Sequence, residues 1–347
     1  MTPDNKLCAF QYGKEWLLSG FSISPLDLPL KPDLFIAKSE PFWGNFGIFE
    51  DSLPDGYGRY LLHRMLRKQG IDDRTLTPIQ RLSIVGSSGM GALSYLPESL
   101  IGEEKALPEL DYLQQLALDV LSEKTDTGAD ILYFNSGNSG GCRPKCLYRD
   151  EEGAWIVKFR HTYDPKDMGQ MEYRYNEIAR SCGIEVPDFK LIQKKYFASK
   201  RFDIENGERL HIATAGALLN ESIYNPKLDY KILLHLTGYL TQDPTQVEEM
   251  FRRMAFNVLT ENKDDHAKNF SFICRNGKWS LSPAYDLTRN TEGYHGEHAT
   301  SVNNNGLPTI EDMCAVGETI RISHKKGKEI ILSTMEACEE ILSERFT

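Results

Sequence analysis

Lys263-Asp264-Asp265-His266-Ala267-Lys268-Asn269-Phe270-Ser271 follows a run in which Val247, Met250, Phe251, Met254, Ala255, Val258 and Leu259 recur every three or four residues. That recurrence is the period of an amphipathic helix, so the polar stretch is a loop entered from a helix end. Thr245 and Glu248 predict the helix start as a capping box. Beyond the loop, residues 270–274 and 278–281 flank Arg275-Asn276-Gly277, which predicts a hairpin. The hairpin returns the chain to Ala284-Tyr285-Asp286-Leu287. Phosphoryl transfer of the protein-kinase kind needs an Asp to accept the substrate hydroxyl proton, an Asn five residues later on one metal, and an Asp after a hairpin on the other. Asp264, Asn269 and Asp286 stand in that order. Asp265 is the alternative base, but it lies only four residues before Asn269, and the kinase spacing favours Asp264.

The same chemistry needs three parts upstream: a glycine-containing turn over the phosphates, a strand lysine, and a helix glutamate to hold that lysine. Strands are predicted at 131–134, 146–148 and 154–159, a meander with Asp150-Glu151-Glu152-Gly153 turning between the last two. Asn138-Ser139-Gly140-Gly141-Cys142-Arg143-Pro144-Lys145 links the first two strands, Lys158 ends Trp155-Ile156-Val157-Lys158, and Glu172 opens a helix through Ile178. A lysine at a strand end is ordinarily solvated, and an Asp-Asp-His run is ordinarily a polar loop. Their joint occurrence, in kinase order, is what points to a nucleotide-dependent phosphotransferase.

The rest of the chain bounds that reading. Its 347 residues allow two domains or one elaborated one. Composition places a boundary near the proline-containing, acidic 97–110, and the kinase reading divides the chain into 1–126, a strand-rich 127–227 with the phosphate loop and a helical 228–347, with ATP between the last two. Lys+Arg 40 against Asp+Glu 50 leaves a net charge of −10, which argues against a broadly basic nucleic-acid-binding surface. Apolar runs fall far short of the ~20 residues that span a bilayer, and Pro3, Asp4 and Lys6 spoil a signal peptide, so a cytoplasmic chain without a membrane segment is expected. Seven cysteines without framework spacing read as reduced thiols, and Cys142 and Cys146, with no second pair, argue against zinc.

Other elements follow local signals. Asp55 is the expected N-cap of a helix carrying Tyr60, Leu61, Met65 and Leu66 and stopped by Gly70. The glycines between Val85 and Tyr95 read as a structural turn, because an extended apolar run follows where a phosphate-binding helix would begin. Residues 97–110 read as a surface connection, and a helix is predicted over 111–123. Thr309 with Asp312 starts one late helix, and Ile331, Met335, Cys338 and Leu342 share a face of another. His266 reads as a scaffold hydrogen-bonder, since Asp264 already fills the role of base. His295 and His298 read as part of a flexible polar loop.

At these residues the chain resembles the HipA-type serine/threonine kinases of bacterial toxin–antitoxin systems, along nearly its whole length. Asp264-Asp265-His266-Ala267-Lys268-Asn269-Phe270-Ser271 is similar to the family's Asp-x-His-Ala-Lys-Asn-Phe-Ser catalytic loop, and Pro283-Ala284-Tyr285-Asp286 to its metal aspartate. Gly141-Cys142-Arg143-Pro144-Lys145 resembles its Gly-x-Gln-x-Lys loop, Arg201-Phe202-Asp203 its post-hinge segment, and Leu53-Pro54-Asp55 a motif of its N-terminal part.

The resemblance implies an α+β, two-lobed protein-kinase-like fold with an N-terminal α/β subdomain and a mainly helical C-terminal lobe. It implies ATP- and Mg²⁺-dependent phosphorylation of protein serine or threonine. Aminoacyl-tRNA synthetases, particularly glutamyl-tRNA synthetase, are one target class of the family. The implied partner is a HipB-like DNA-binding antitoxin, with DNA met only through it. Asp264, Lys158 and Glu172 are the implied catalytic residues. Ser139, Gly140, Gly141, Lys145, Lys158, Lys200, Phe202, His266 and Lys268 would surround the nucleotide, and Asn269 and Asp286 would hold metal.

Three departures qualify the resemblance. Asn138 stands where the family loop has its self-phosphorylated serine, with Ser139 one later and Ser136 two earlier. Arg143 replaces the family's Gln. Residues 10–30 resemble the interior of the N-terminal subdomain, so its opening strands are expected from a separate small, HipS-like protein. Two rival functions remain at this level: a small-molecule kinase of the aminoglycoside or choline type, and an ATP-binding, antitoxin-bound corepressor with little kinase activity.

Overall fold

Two antiparallel strands, β1 (Ala9–Phe10) and β2 (Phe35–Ile36), open the chain, ahead of helices α1 (Gly56–Lys68), α2 (Pro78–Val85), α3 (Leu110–Leu121) and α4 (Ala129–Ser136). The computed structural model describes residues 1–4, 6–99, 107–125, 127–136 and 140–343; Asn138 and Ser139 lie outside the described residues. Strands β3 (Lys145–Asp150), β4 (Gly153–Lys158), β5 (Phe189–Ile192) and β6 (Tyr196–Lys200) form an antiparallel sheet in the order β3-β4-β6-β5. Helix α5 (Met168–Ser181) runs between β4 and β5.

Packing divides the chain into two units, Met1–Ser19 with Leu30–Tyr173 and Asp188–Ile212, and Gly20–Pro29 with Arg174–Pro187 and Ala213–Thr347. The expected boundary at 126 is not a boundary of packing. One core draws Leu61 and Leu66 from α1, Leu113 and Val120 from α3, Leu132 and Tyr133 from α4, and Cys146, Trp155, Val157 and Ala198 from the sheet. Burying each of the larger side chains is worth about 1.5–3 kcal/mol, so the segments either side of 126 stand or fall together.

Residues 131–134, expected as a strand, are helical. Four consecutive apolar residues have no period of their own, and the core on one side decides the matter: Leu132 and Tyr133 are buried while Ile131 and Phe134 are partly open. The other two strands of the meander are as expected, and two more, β5 and β6, complete the sheet.

Side chains alternate across the sheet. Cys146 pairs with Val157 and Trp155 with Lys200, whereas Lys145 pairs with Lys158. Cys146, Val157 and Trp155 therefore face the core, and Lys145 and Lys158 lie side by side on the opposite face. The glycine turn before Tyr95 is structural: Gly91 N–H donates to Asp203 (2.8 Å), and Arg209 donates to the Ser87 carbonyl (2.6 Å) and to that of Gly89.

The second unit contains α6 (Tyr230–Thr241), α7 (Pro244–Thr260), the hairpin β7 (Ser271–Arg275) and β8 (Lys278–Leu281), and α8 (Ile310–Glu318), α9 (His324–Ala337) and α10 (Glu339–Ser343). Helix α7 starts before the expected capping box. Asp243 is its N-cap, accepting from Thr245 N–H at 2.9 Å, and Pro244 opens the first turn, where its missing N–H costs nothing. Met250, Phe251, Met254, Ala255 and Phe256 of α7 are all fully buried. The hairpin turns at Asn276 (φ 52) and Gly277 (φ 82), and Thr309 and Asp312 make the expected capping box of α8. The expected last helix breaks at Cys338, giving α9 and α10. Among the described residues no helix is long and apolar enough to cross a membrane.

Candidate active site

In the first unit the strand lysine and helix glutamate meet. Lys158 Nζ lies 3.4 Å from Glu172 Oε2, with side chains 16% and 3% exposed. Glu172 sits in the first turns of α5, and Gly169 makes that placement possible: a Cβ there would stand 2.0 Å from the Lys195 carbonyl oxygen. Lys145, the cross-strand neighbour of Lys158, is itself 7% exposed and donates to the Gly140 carbonyl. Two ammonium groups side by side are mutually unfavourable unless an anion offsets them. A 240 Å³ cavity adjoins the ion pair, lined by Lys158, Arg160, Lys166, Lys195 and Glu172 among others. Its lining has several cations and one carboxylate, so it suits a phosphate-sized anion.

The glycine loop is docked. Gly141 N–H donates to Asp55 Oδ1 at 2.6 Å, and Tyr57 N–H donates to the Gly141 carbonyl at 3.1 Å. Asp55, expected to cap α1, makes no side-chain cap bond there; its carboxylate accepts from a residue 86 positions away instead. Gly56 has φ +42, and a Cβ on it would come within 2.6 Å of the Gly141 oxygen, so the approach requires glycine. Arg143 makes a two-point pair with Asp164 (2.9 and 3.1 Å), which also accepts the His161 N–H (2.8 Å). Burial works to raise the Asp164 carboxyl, but the Arg143 and His161 hydrogen bonds and the Arg143 charge outweigh it and hold it below 3.8.

Lys200 and Phe202, also expected at the nucleotide, lie at the end of β6 and just beyond it. Lys200 shares the face of Trp155, over whose ring it lies at 5.8 Å, opposite the face of Lys158. Phe202 is half-buried between Arg201 and Asp203, which pair with each other at 2.6 Å. Ser136 is buried at the end of α4 and donates to the Tyr133 carbonyl at 3.1 Å.

In the second unit the two aspartates of the loop have opposite environments. Asp265 is fully buried and accepts from Tyr230 Oη (2.9 Å) and Thr300 N–H (3.2 Å), and His298 Nδ1 is 2.9 Å from it. Burial first, and the Asp265 charge second, push the Tyr230 phenol well up, so it stays a neutral donor. Asp264 is 53% exposed on its side chain. The network continues from Tyr230, which accepts from Asn257 (3.0 Å), to Asn262, which donates both to Asn257 (3.0 Å) and to the Asp286 carbonyl (2.9 Å). Tyr285 Oη donates to the Lys268 carbonyl (2.8 Å) and bonds Ser271. The loop and the post-hairpin aspartate are thus fastened to each other twice, once through the core and once through Tyr285.

Asn269 Nδ2 donates to the Asp264 carbonyl (2.7 Å), so the amide oxygen remains as its acceptor. Asp286 holds φ +52, a left-handed conformation uncommon for a residue with a Cβ and frequent at functional sites. An amide oxygen and a carboxylate are hard donors of the kind Mg²⁺ takes. Among the described residues no three His, Cys, Asp or Glu cluster as a metal site.

His266, expected as a hydrogen-bonding scaffold, lies 4.0 Å from Asp264, and its Nδ1 is buried without a hydrogen bond. The scaffold histidine is His298, expected in a flexible loop but 6% exposed and set against Asp265.

A family model of the HipA-like C-terminal domain matches residues 137–342, and one of the HipA N-terminal domain matches residues 1–96. The chain belongs to the HipA-like family. Every expected site residue falls inside the C-terminal match, and Asp55 inside the N-terminal one. The serine/threonine-protein kinase toxin HipA of Shewanella oneidensis is 23% identical over 319 residues, 80% of this chain and 69% of that protein. Y4dM of Sinorhizobium fredii, which carries a provisional kinase name, is 29% identical over 170 residues, 44% of this chain and 41% of that protein. This match thus covers well under half of that relative's length. Among solved structures, the Shewanella oneidensis HipA, HipB and operator DNA complex contains a chain that superposes with a TM-score of 0.71 at 19% identity, covering 97% of this chain and 85% of that one. The HipA-like, α+β fold is therefore shown.

Proposed function

We propose that this HipA-like chain is an ATP- and Mg²⁺-dependent serine/threonine protein kinase, the toxin of a toxin–antitoxin pair. The observation that carries the reading is the unequal pair Asp264 and Asp265: one carboxylate open to solvent, its neighbour fully buried as an anchor. A base needs reach to a substrate hydroxyl, which Asp264 has and Asp265 lacks. Asp264 accepts the serine or threonine proton. Lys158 and Lys145 bind phosphate oxygens, and Glu172 keeps the Lys158 amine aimed. Asn269 and Asp286 supply the oxygen donors for Mg²⁺, which when bound neutralises charge on the transferred phosphoryl group.

A HipB-like antitoxin is the proposed partner, since the structural relative was solved with HipB and operator DNA. DNA is met through that partner, in keeping with the chain's net charge of −10. A second, HipS-like partner is supported by the short β1–β2 pair, two residues a strand, and by the exposed apolar side chains of Trp16, Leu18, Leu34, Ile36 and Trp43.

The test is incubation of the chain with labelled ATP and cell lysate, with purified glutamyl-tRNA synthetase as one defined substrate. A labelled polypeptide that disappears with Asp264→Asn is expected. Label confined to a metabolite would establish the small-molecule kinase instead. Partner binding without label, unchanged in Asp264→Asn, would establish the corepressor.

A further inference from the structure

Cys182 directly follows α5, and Cys338 sits at the break between α9 and α10. Their sulfurs are 3.7 Å apart. A disulfide needs about 2.05 Å, so closure asks for a movement of under 2 Å, within reach of a side-chain rotation. Cys338 is fully buried, whereas Cys182 is partly open to solvent. The hydrogen bond from Cys338 lowers the Cys182 thiol below its usual value, and the Arg252 charge adds to this. A partly exposed cysteine with its thiol shifted down, beside a buried second thiol, is the arrangement of an attacking and a resolving cysteine.

We infer that Cys182 and Cys338 form an oxidation site, closing a disulfide when hydrogen peroxide is present. The Cys182 thiolate attacks one peroxide oxygen, giving a sulfenic acid and releasing water once the departing hydroxide takes up a proton. Cys338 then attacks the sulfenic sulfur; the S–S bond forms, the S–O bond breaks, and the Cys338 proton leaves with the hydroxyl as a second water. Two thiols lose two electrons and the peroxide gains them.

The position gives the bond consequence. Both sulfurs belong to a core that also holds Ile178 of α5 and the residues Ala284 and Leu287 that flank Asp286. Oxidation would tie the end of the helix that carries Glu172 to the last two helices, within the core under the Asp286 segment. The inference goes beyond the kinase reading and does not depend on it.

The experiment treats the full chain with hydrogen peroxide and maps cysteines by alkylation and peptide mass. The expected result is loss of two alkylatable thiols, a linked peptide containing Cys182 and Cys338, and reversal by dithiothreitol. Cys338→Ser should instead accumulate sulfenic acid at Cys182, trapped by dimedone, with Cys338→Ala as a second variant should the serine fail to fold. Both thiols remaining alkylatable, or a linkage through the exposed Cys142 instead, would overturn the inference.

Discussion

Replacing Asp265 by Asn should unfold this protein far more readily than the same change at Asp264. The Asp265 carboxylate accepts from Tyr230 Oη and faces His298 Nδ1 with one oxygen, and accepts from Thr300 N–H with the other. An amide can keep the Thr300 bond, but its NH₂ then points at Tyr230 and His298 and removes the acceptor both use. Hydrogen bonds to a charged group are worth about 1.5–3 kcal/mol each, and leaving buried partners unpaired puts the total at roughly 3–5 kcal/mol. At about 2–4 °C per kcal/mol for a unit of this size, the midpoint should fall by roughly 10 °C. Asp264, half exposed, should lose no more than about 0.5 kcal/mol on the same substitution, while phosphoryl transfer falls about 10²- to 10⁴-fold. Urea unfolding of both variants beside the parent, with transfer measured below either midpoint, separates the two effects. An Asp265→Asn variant as stable as the parent, or less affected than Asp264→Asn, would refute the anchor-and-base assignment.

Further outcomes follow from the phosphate loop and the metal donors. Arg143→Gln, which restores the residue the family loop usually has, should destabilise by about 1–3 kcal/mol in urea unfolding, because Asp164 stays 4% exposed without its two-point partner. The Asp164 carboxyl is held below its unfolded value, so its stabilisation is present above about pH 3.8 and lost as pH falls towards the folded value; acid unfolding of Arg143→Gln should be correspondingly less steep. Asp55→Ala should release the Gly141 N–H and speed its hydrogen exchange, and exchange at the parental rate would show that the loop is held by other means. Asp286→Asn should weaken nucleotide binding in the presence of Mg²⁺ and leave it nearly unchanged after chelation, a difference calorimetry reads directly.

Much of this was legible along the chain. The order Lys158, Glu172, Asp264, Asn269 and Asp286, the helix before the loop and the hairpin after it depend on short-range spacing, which sequence carries explicitly. The preference for Asp264 over Asp265 is also a spacing argument, and the proposed roles rest besides on the burial of Asp265. Residues 131–134 were misread because an apolar run of that length fits a strand or a helix equally, and only Leu132 and Tyr133 packing into the common core distinguishes them.

What the sequence by itself determined is the family, the loop that names it and the residue types the chemistry requires. Tertiary structure alone decided which polar groups serve as anchors: Tyr230, Asn257, Asn262 and His298 lie up to 35 residues from Asp265 and up to 24 from Asp286 in the bonds they make, and none stands in a pattern of its own. It also turned Asp55 from a helix cap into the acceptor for Gly141, set Lys200 away from the Lys158 face, and brought Cys182 within 3.7 Å of Cys338. The reason is common to all of these. Burial obliges a polar group to find a partner wherever the fold brings one, and that choice is made in space, between segments whose separation along the chain carries no signal.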